Sequence, residues 1–131
     1  MSAQIDQISS TLDRLAEAWK ANDAAAVASL FTDDGSLINP FGQRADGRAA
    51  VAGMYEEYFA GMLKATSTTI DVRHVRAVND DYAFVDTEQQ ILGPDGLIVL
   101  AVHLTALFRQ EEGRWLIADG RAYAFAPVAQ V

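Results

Sequence analysis

A chain of 131 residues, half of them hydrophobic, has the size and balance of one globular domain with a packed core. Its formal net charge of −8 and its lack of a basic stripe argue against nucleic acid or an anionic membrane as partner. The absence of cysteine removes disulfides, thiolate nucleophiles and zinc–thiolate sites together. No basic, apolar leader opens the chain, and the longest apolar stretch, Leu97–Phe108, is broken by His103 and Thr105 and too short for a bilayer. The expectation is a cytoplasmic protein with a single domain over residues 1–131.

Ile5, Ile8, Leu12, Leu15 and Trp19 recur at spacings of three and four, which predicts an amphipathic helix over the first twenty residues. Asn22 closes it, and Asp23 is a natural N-cap for a short second helix over Ala24–Phe31. Thr32-Asp33-Asp34-Gly35 reads as a turn, followed by a short strand, Ser36–Asn39, that Pro40 stops. After Asp46-Gly47 comes a third helix with Val51, Met54, Tyr55, Tyr58, Phe59 and Met62 on one face. Beyond Ala65 the pattern turns strand-like: Thr68–Val78, Tyr82–Leu92, Leu97–Arg109 and Trp115–Phe125, with turn residues between them. Helices first and a meander afterwards predict an α+β fold. Three N-terminal helices would pack on one face of a strongly curved antiparallel sheet and enclose an apolar pocket.

The two hairpins sort the sheet faces. Pairing Gly93 with Gly96 puts Val85, Thr87, Gln89 and Ile91 on one face with Leu104, Val102, Leu100 and Ile98. The opposite face then carries Asp86, Glu88 and Gln90, with His103 opposite Asp86. Pairing Phe108 with Trp115 adds Trp115, Ile117, Asp119 and Arg121 to the apolar face, which is the face the helices would cover. A bulge in either hairpin would reverse the assignment beyond it. The other face mixes polar groups with Val99, Ala101, Leu116, Ala118 and Ala122, a composition suited to a dimer surface.

Four strings occur in a telling order: Leu15-Ala-Glu-Ala-Trp-Lys-Ala-Asn-Asp23, Ala28-Ser-Leu-Phe-Thr-Asp-Asp-Gly35, Ile38-Asn-Pro-Phe-Gly42 with Asp46-Gly-Arg-Ala-Ala-Val51, and Gly113-Arg-Trp-Leu-Ile-Ala118. Together they resemble the NTF2-like superfamily, and within it the SnoaL-like and DUF4440 groups, including SgcJ/EcaC-type proteins. The resemblance spans Leu12 to Tyr123. It implies a cone-shaped α+β barrel with a pocket between helices and sheet, and a homodimer formed through the outer sheet face. Ketosteroid isomerase, scytalone dehydratase, limonene-epoxide hydrolase, polyketide cyclases and non-catalytic assembly domains share this fold, so fold alone does not set function. Aligned with ketosteroid isomerase, the chain has Leu15 at the oxyanion-hole tyrosine, Asn39 at the carboxylate base and Ala106 at or near the protonated carboxyl. That mechanism is therefore excluded.

Asp119 and Arg121, two apart on a strand, share a face. In the pocket, Asp119 would be a general acid/base resembling in position the late-strand aspartate of SnoaL-like cyclases, with Arg121 binding an oxyanion. Otherwise the two form a structural ion pair. Asn39 either hydrogen-bonds a ligand carbonyl or caps the turn before Pro40. Trp19, Phe31, Tyr55, Phe59, Thr87, Gln89, Phe108, Trp115 and Tyr123 are the expected pocket walls and core. His103 belongs to the outer face unless its strand is flipped, and His74 to the surface. No phosphate loop, nucleophile elbow or metal-ligand spacing is present in the sequence, so no metal or cofactor is expected. The leading expectation is a cofactor-independent lyase, isomerase or cyclase acting on a small hydrophobic substrate by acid/base chemistry. The alternatives are a non-catalytic binder of small hydrophobic ligands and, third, an oligomeric assembly domain.

Overall fold

The structure, a computed structural model, describes residues 2–126. Its elements are α1 (Ser2–Lys20), α2 (Ala24–Ala28), β1 (Phe31–Ile38), β2 (Arg44–Asp46), α3 (Arg48–Ala60), β3 (Ser67–Ala77), β4 (Tyr82–Leu92), β5 (Ile98–Glu111) and β6 (Arg114–Tyr123). Asn22 ends α1 in the left-handed region (φ 52°). Its side chain donates to the Trp19 carbonyl at 2.8 Å and accepts from the Ala65 amide at 2.9 Å, which ties the end of α1 to the start of β3. Asp23 caps α2 by accepting from the Ala26 amide at 3.0 Å. No helix among the described residues is long and apolar enough to cross a membrane.

One six-stranded sheet carries the fold, in the order β2-β1-β6-β5-β4-β3. The predicted meander is there, β3 to β6 pairing antiparallel, but β1 lies parallel to β6, so the sheet is mixed. It stays open, with β2 and β3 as its edges. Three departures from the expected boundaries matter most. Phe31 begins β1 instead of ending α2; Thr32–Gly35 lies within β1 instead of forming a turn; and Met62 lies beyond α3, 64 % exposed. Strand β2, too short to show a pattern, adds to β1.

The Thr32–Gly35 segment bulges within its strand. Five steps of β1, from Phe31 to Ser36, run beside two steps of β6, from Ile117 to Asp119. The first residue of α3 stabilises this excursion: the Arg48 guanidinium donates to the Phe31 carbonyl at 3.0 and 2.7 Å and pairs with Asp33 at 2.6 Å. Gly35 is needed for close approach, since a Cβ there would lie 2.9 Å from the Ile117 carbonyl oxygen and 3.0 Å from that of Thr32. Both obstacles are backbone, which cannot swing aside.

Between helices and sheet the core is apolar and aromatic. Trp19 of α1 meets Tyr55 and Phe59 of α3 edge-on, with ring centroids 5.3 and 5.7 Å apart. Such pairs add about 0.5–1.5 kcal/mol each beyond the area they bury. Tyr55 is only 7 % exposed, and this burial, with Tyr58 beside it, pushes its phenol pKa well above the ordinary value. The folded protein therefore favours neutral Tyr55, whereas the unfolded chain ionises it near pH ~10.

Two predictions follow from this packing. Gly35→Ala should destabilise the protein by roughly 1–3 kcal/mol, seen as a lower urea midpoint at unchanged slope; an unchanged midpoint would contradict the close approach. Stability from Tyr55 is fully present below pH ~10 and is lost above it, at about 1.4 kcal/mol per pH unit, until the folded group titrates. Urea midpoints measured from pH 9 to 11.5 should thus fall more steeply for the native protein than for Tyr55→Phe. Parallel curves would contradict it.

Candidate functional site

Strand register decides which side chains meet the helices. Along β4 and β5 the predicted pairs are displaced by two residues, so Thr87 lies opposite Leu104 and Gln89 opposite Val102. The displacement is the sum of two single slips. The turn is one residue longer than a Gly93–Gly96 pairing allows, with Leu92 opposite Ile98, and Val99 is an extra residue before Leu100 meets Ile91. Two slips restore the original faces. Thr87, Gln89, Val102 and Leu104 face inward as expected, and His103 faces outward, opposite Glu88 and not Asp86.

The second hairpin holds one slip without a partner. Its turn is tight, with Glu112 and Gly113 both at positive φ (52° and 78°) and Glu111 opposite Arg114. Phe108 is opposite Ile117, but Leu107 is opposite Asp119, which leaves Ala118 as a bulge. Beyond it every β6 side chain changes face. Gly120 and Ala122 turn inward opposite Ala106 and Leu104, while Asp119, Arg121 and Tyr123 turn outward opposite Leu107, Thr105 and His103. The predicted inward placement of Asp119 and Arg121 is thereby corrected, as is the outward placement of Ala122.

On that outer face Asp119 pairs with Arg121 at 3.0 Å and accepts from the Ser36 hydroxyl at 3.2 Å. The carboxylate's hydrogen bond and charge raise the Arg121 pKa above its ordinary value. These are the contacts of a surface ion pair, modest in worth. Tyr123, expected in the pocket wall, sits on the same outer face with its hydroxyl 2.9 Å from that of Thr105, and its ring stacks on His103. His103 also stacks on Phe125, 3.9 Å between centroids. Asp86 accepts from Thr105 at 2.9 Å, and the exposed His74 reaches Asp86 at 3.9 Å.

A cavity of about 50 Å³ lies between α1, α3 and the inner sheet face. Leu15 and Trp19 come from α1, Tyr55 and Tyr58 from α3, and Leu63 from the turn after it. Phe31, Leu37, Asn39 and Pro40 come from β1 and its end, and Gln89 and Ile91 from β4. Leu100, Val102 and Leu104 of β5 with Ile117, Gly120 and Ala122 of β6 complete the wall. Of the expected residues, Asn39, Trp19, Phe31, Tyr55 and Gln89 are thus brought together. Phe59, Thr87, Phe108 and Trp115 are buried in the core but do not line the cavity; Thr87 spends its hydroxyl on the Leu104 carbonyl. Tyr58, Leu63, Pro40, Gly120 and Ala122 were not singled out as lining. Tyr58 could have been, because it lies three residues from Tyr55 on one helical face. Gly120 and Ala122 could not, because their orientation depends on the bulge.

The indole and the two amides of the wall are tied back into the protein. Trp19 donates to the Thr66 hydroxyl at 2.9 Å, and Gln89 donates to that of Thr68 at 3.0 Å. Asn39, 4 % exposed, accepts from the Phe41 and Gln43 amides and donates to the Gln43 side chain and to the Tyr58 hydroxyl. It therefore caps the turn that contains Pro40 and borders the cavity, with its polar atoms spent on partners within the protein. None of the lining residues is Asp, Glu, His, Lys or Arg. Among the described residues no cluster of His, Cys, Asp or Glu could hold a metal ion.

Comparison with known proteins agrees with this architecture. A domain of unknown function with a cystatin-like fold from Nostoc punctiforme superposes with a TM-score of 0.87 at 18 % identity, over 98 % of this chain and 81 % of that one. An NTF-2 like protein of unknown function from Shewanella oneidensis gives 0.79 at 16 % identity, over 92 % and 98 %. A ketosteroid isomerase-like protein from Erwinia carotovora atroseptica gives 0.74 at 23 % identity, over 92 % and 95 %. At these identities the likeness is one of fold. No curated protein matches in sequence. The model of the SnoaL-like domain matches residues 8–122, nearly the whole of helices and sheet, and the chain belongs to that family.

Proposed function

We propose that this SnoaL-like protein binds a small, neutral, largely apolar molecule in the cavity between helices and sheet. The observation that carries the reading is the chemistry of the wall: apolar side chains, two phenols, two amides and one indole, with no group ionised near neutral pH. A charged ligand would lose its hydration there without gaining a counter-charge. An isomerase or cyclase working by proton transfer needs a group that takes up a proton near neutrality. The lining offers none, and Asp119, the carboxylate suited to that role by sequence, belongs to the opposite face of the sheet. Binding without turnover is accordingly preferred over acid/base catalysis.

Ligand size follows from the walls. An apolar cavity of roughly 150 Å³ accepts benzene, so a ring-sized ligand requires this one, at about 50 Å³, to widen. Pro40, Leu63 and Leu100 each adjoin a large exposed apolar residue, respectively Phe41, Met62 and Val99. Exposed side chains are held by less packing than buried ones, so widening is expected beside Phe41, Met62 and Val99. Within the family, the strings Leu15–Asp23, Ala28–Gly35 and Gly113–Ala118 favour the DUF4440, SgcJ/EcaC-type subgroup.

Titration with a neutral six-membered-ring compound should give saturable binding, with the compound recovered unchanged. Ala122→Phe, which fills the cavity, should weaken binding more than tenfold while the far-ultraviolet circular dichroism is retained. Asp119→Asn should leave affinity within twofold. Turnover of the compound, abolished in Asp119→Asn, would contradict the reading.

A further inference from the structure

Hydrogen-bond direction around Asn39 is set by the backbone. The Asn39 side-chain atom facing the Phe41 and Gln43 amides, at 3.0 and 2.9 Å, must be the oxygen, because a backbone N–H can only donate. The other terminal atom is then the nitrogen. It gives one proton to the Gln43 side-chain oxygen at 2.8 Å and the other to the Tyr58 hydroxyl oxygen. With both its protons given and its oxygen accepting twice, Asn39 has nothing left to offer a ligand. Tyr58, as the acceptor in its bond with Asn39, must direct its own proton elsewhere. Among the described residues no hydrogen bond uses that proton, and Tyr58 lines the cavity.

We propose that Tyr58 is the residue that recognises the ligand, donating a hydrogen bond to a carbonyl-type oxygen on an otherwise apolar molecule, and that Asn39 is the positioning residue that aims its proton. The proposal rests on the small-molecule reading above and specifies its ligand class as neutral ketones, aldehydes or esters. Burial raises the Tyr58 pKa above the ordinary phenol value, so the group stays protonated and remains a donor throughout the physiological range. Tyr55, its ring perpendicular to that of Tyr58 with centroids 5.7 Å apart, puts a second hydroxyl in the same wall. A carbonyl suits such a wall because it accepts hydrogen bonds and brings no proton of its own. Carboxylates and phosphates are disfavoured by the missing cation.

The test compares cyclohexanone with methylenecyclohexane, which match in shape and differ by an oxygen in place of a CH₂ group. Each is titrated into the full chain and followed by NMR. Tyr58→Phe should weaken cyclohexanone binding about fivefold, the equivalent of one net hydrogen bond, and leave methylenecyclohexane within twofold. Asn39→Asp should do the same although the phenol is intact, because a carboxylate only accepts and draws the Tyr58 proton onto itself. The bound ketone's carbonyl stretch should lie at lower frequency in the native protein than in either variant. If Asn39→Asp weakens both compounds alike, Asn39 merely holds its turn and the positioning role is overturned. If Tyr58→Phe changes both compounds equally, or neither, the recognition role is overturned while the pocket reading stands. If neither compound binds the native protein up to its solubility, the pocket reading fails and takes this inference with it.

Discussion

At one point in the sheet two irregularities meet, and the identity of the pocket wall depends on both. Strand β6 carries an extra residue, Ala118, relative to β5, and directly alongside it β1 bulges at Thr32–Gly35. The close approach of Gly35 to the Ile117 carbonyl lets the two distorted strands stay paired, and Arg48 satisfies the Phe31 carbonyl that the excursion frees. Because side chains alternate along a strand, one inserted residue exchanges the two faces of everything after it. The exchange turns Gly120 and Ala122 toward the helices and Asp119 and Arg121 away from them. Two small residues then leave room where two large charged ones would have filled it. The cavity and its neutrality share this one cause.

Neutrality in turn limits the chemistry. Leu15 and Asn39 both line the wall, and neither can serve as an acid or a base near neutral pH. What remains is polarity with a direction. Backbone amides fix the Asn39 oxygen, Asn39 fixes the Tyr58 oxygen, and the sequence of donors ends with a phenolic proton at the cavity. Such an arrangement can orient an acceptor oxygen and cannot itself remove a proton from carbon at neutral pH. That is why the proposed reading is one of binding.

Much of the fold was legible because it rests on local patterns. Tyr82–Leu92 is a strand at the predicted boundaries, and α1, α3 and the other three meander strands differ from theirs by a few residues. Inward-facing Gln89 and outward-facing His103 were also legible, although through two slips that cancelled. Tertiary effects were not. Thr32-Asp33-Asp34-Gly35 has the composition of a turn, and only pairing with β6 and the reach of Arg48 from α3 hold it within a strand. Ala118 has no residue type that announces a bulge, so strand alternation keeps Asp119 and Arg121 on one face together but points to the wrong face. The aromatic and amide members of the site survived because they lie on α1, α3, β1 and β4, elements whose orientation does not depend on that insertion.

The most direct test of the account is to measure intermolecular NOEs from bound cyclohexanone to assigned side chains of the protein. Contacts to the methyl groups of Leu15, Ile117 and Ala122, with none to Arg121 or Tyr123, are the predicted result. Contacts to Arg121 or Tyr123 and none to Ala122 would contradict it, for they would put the ligand on the other face of β6.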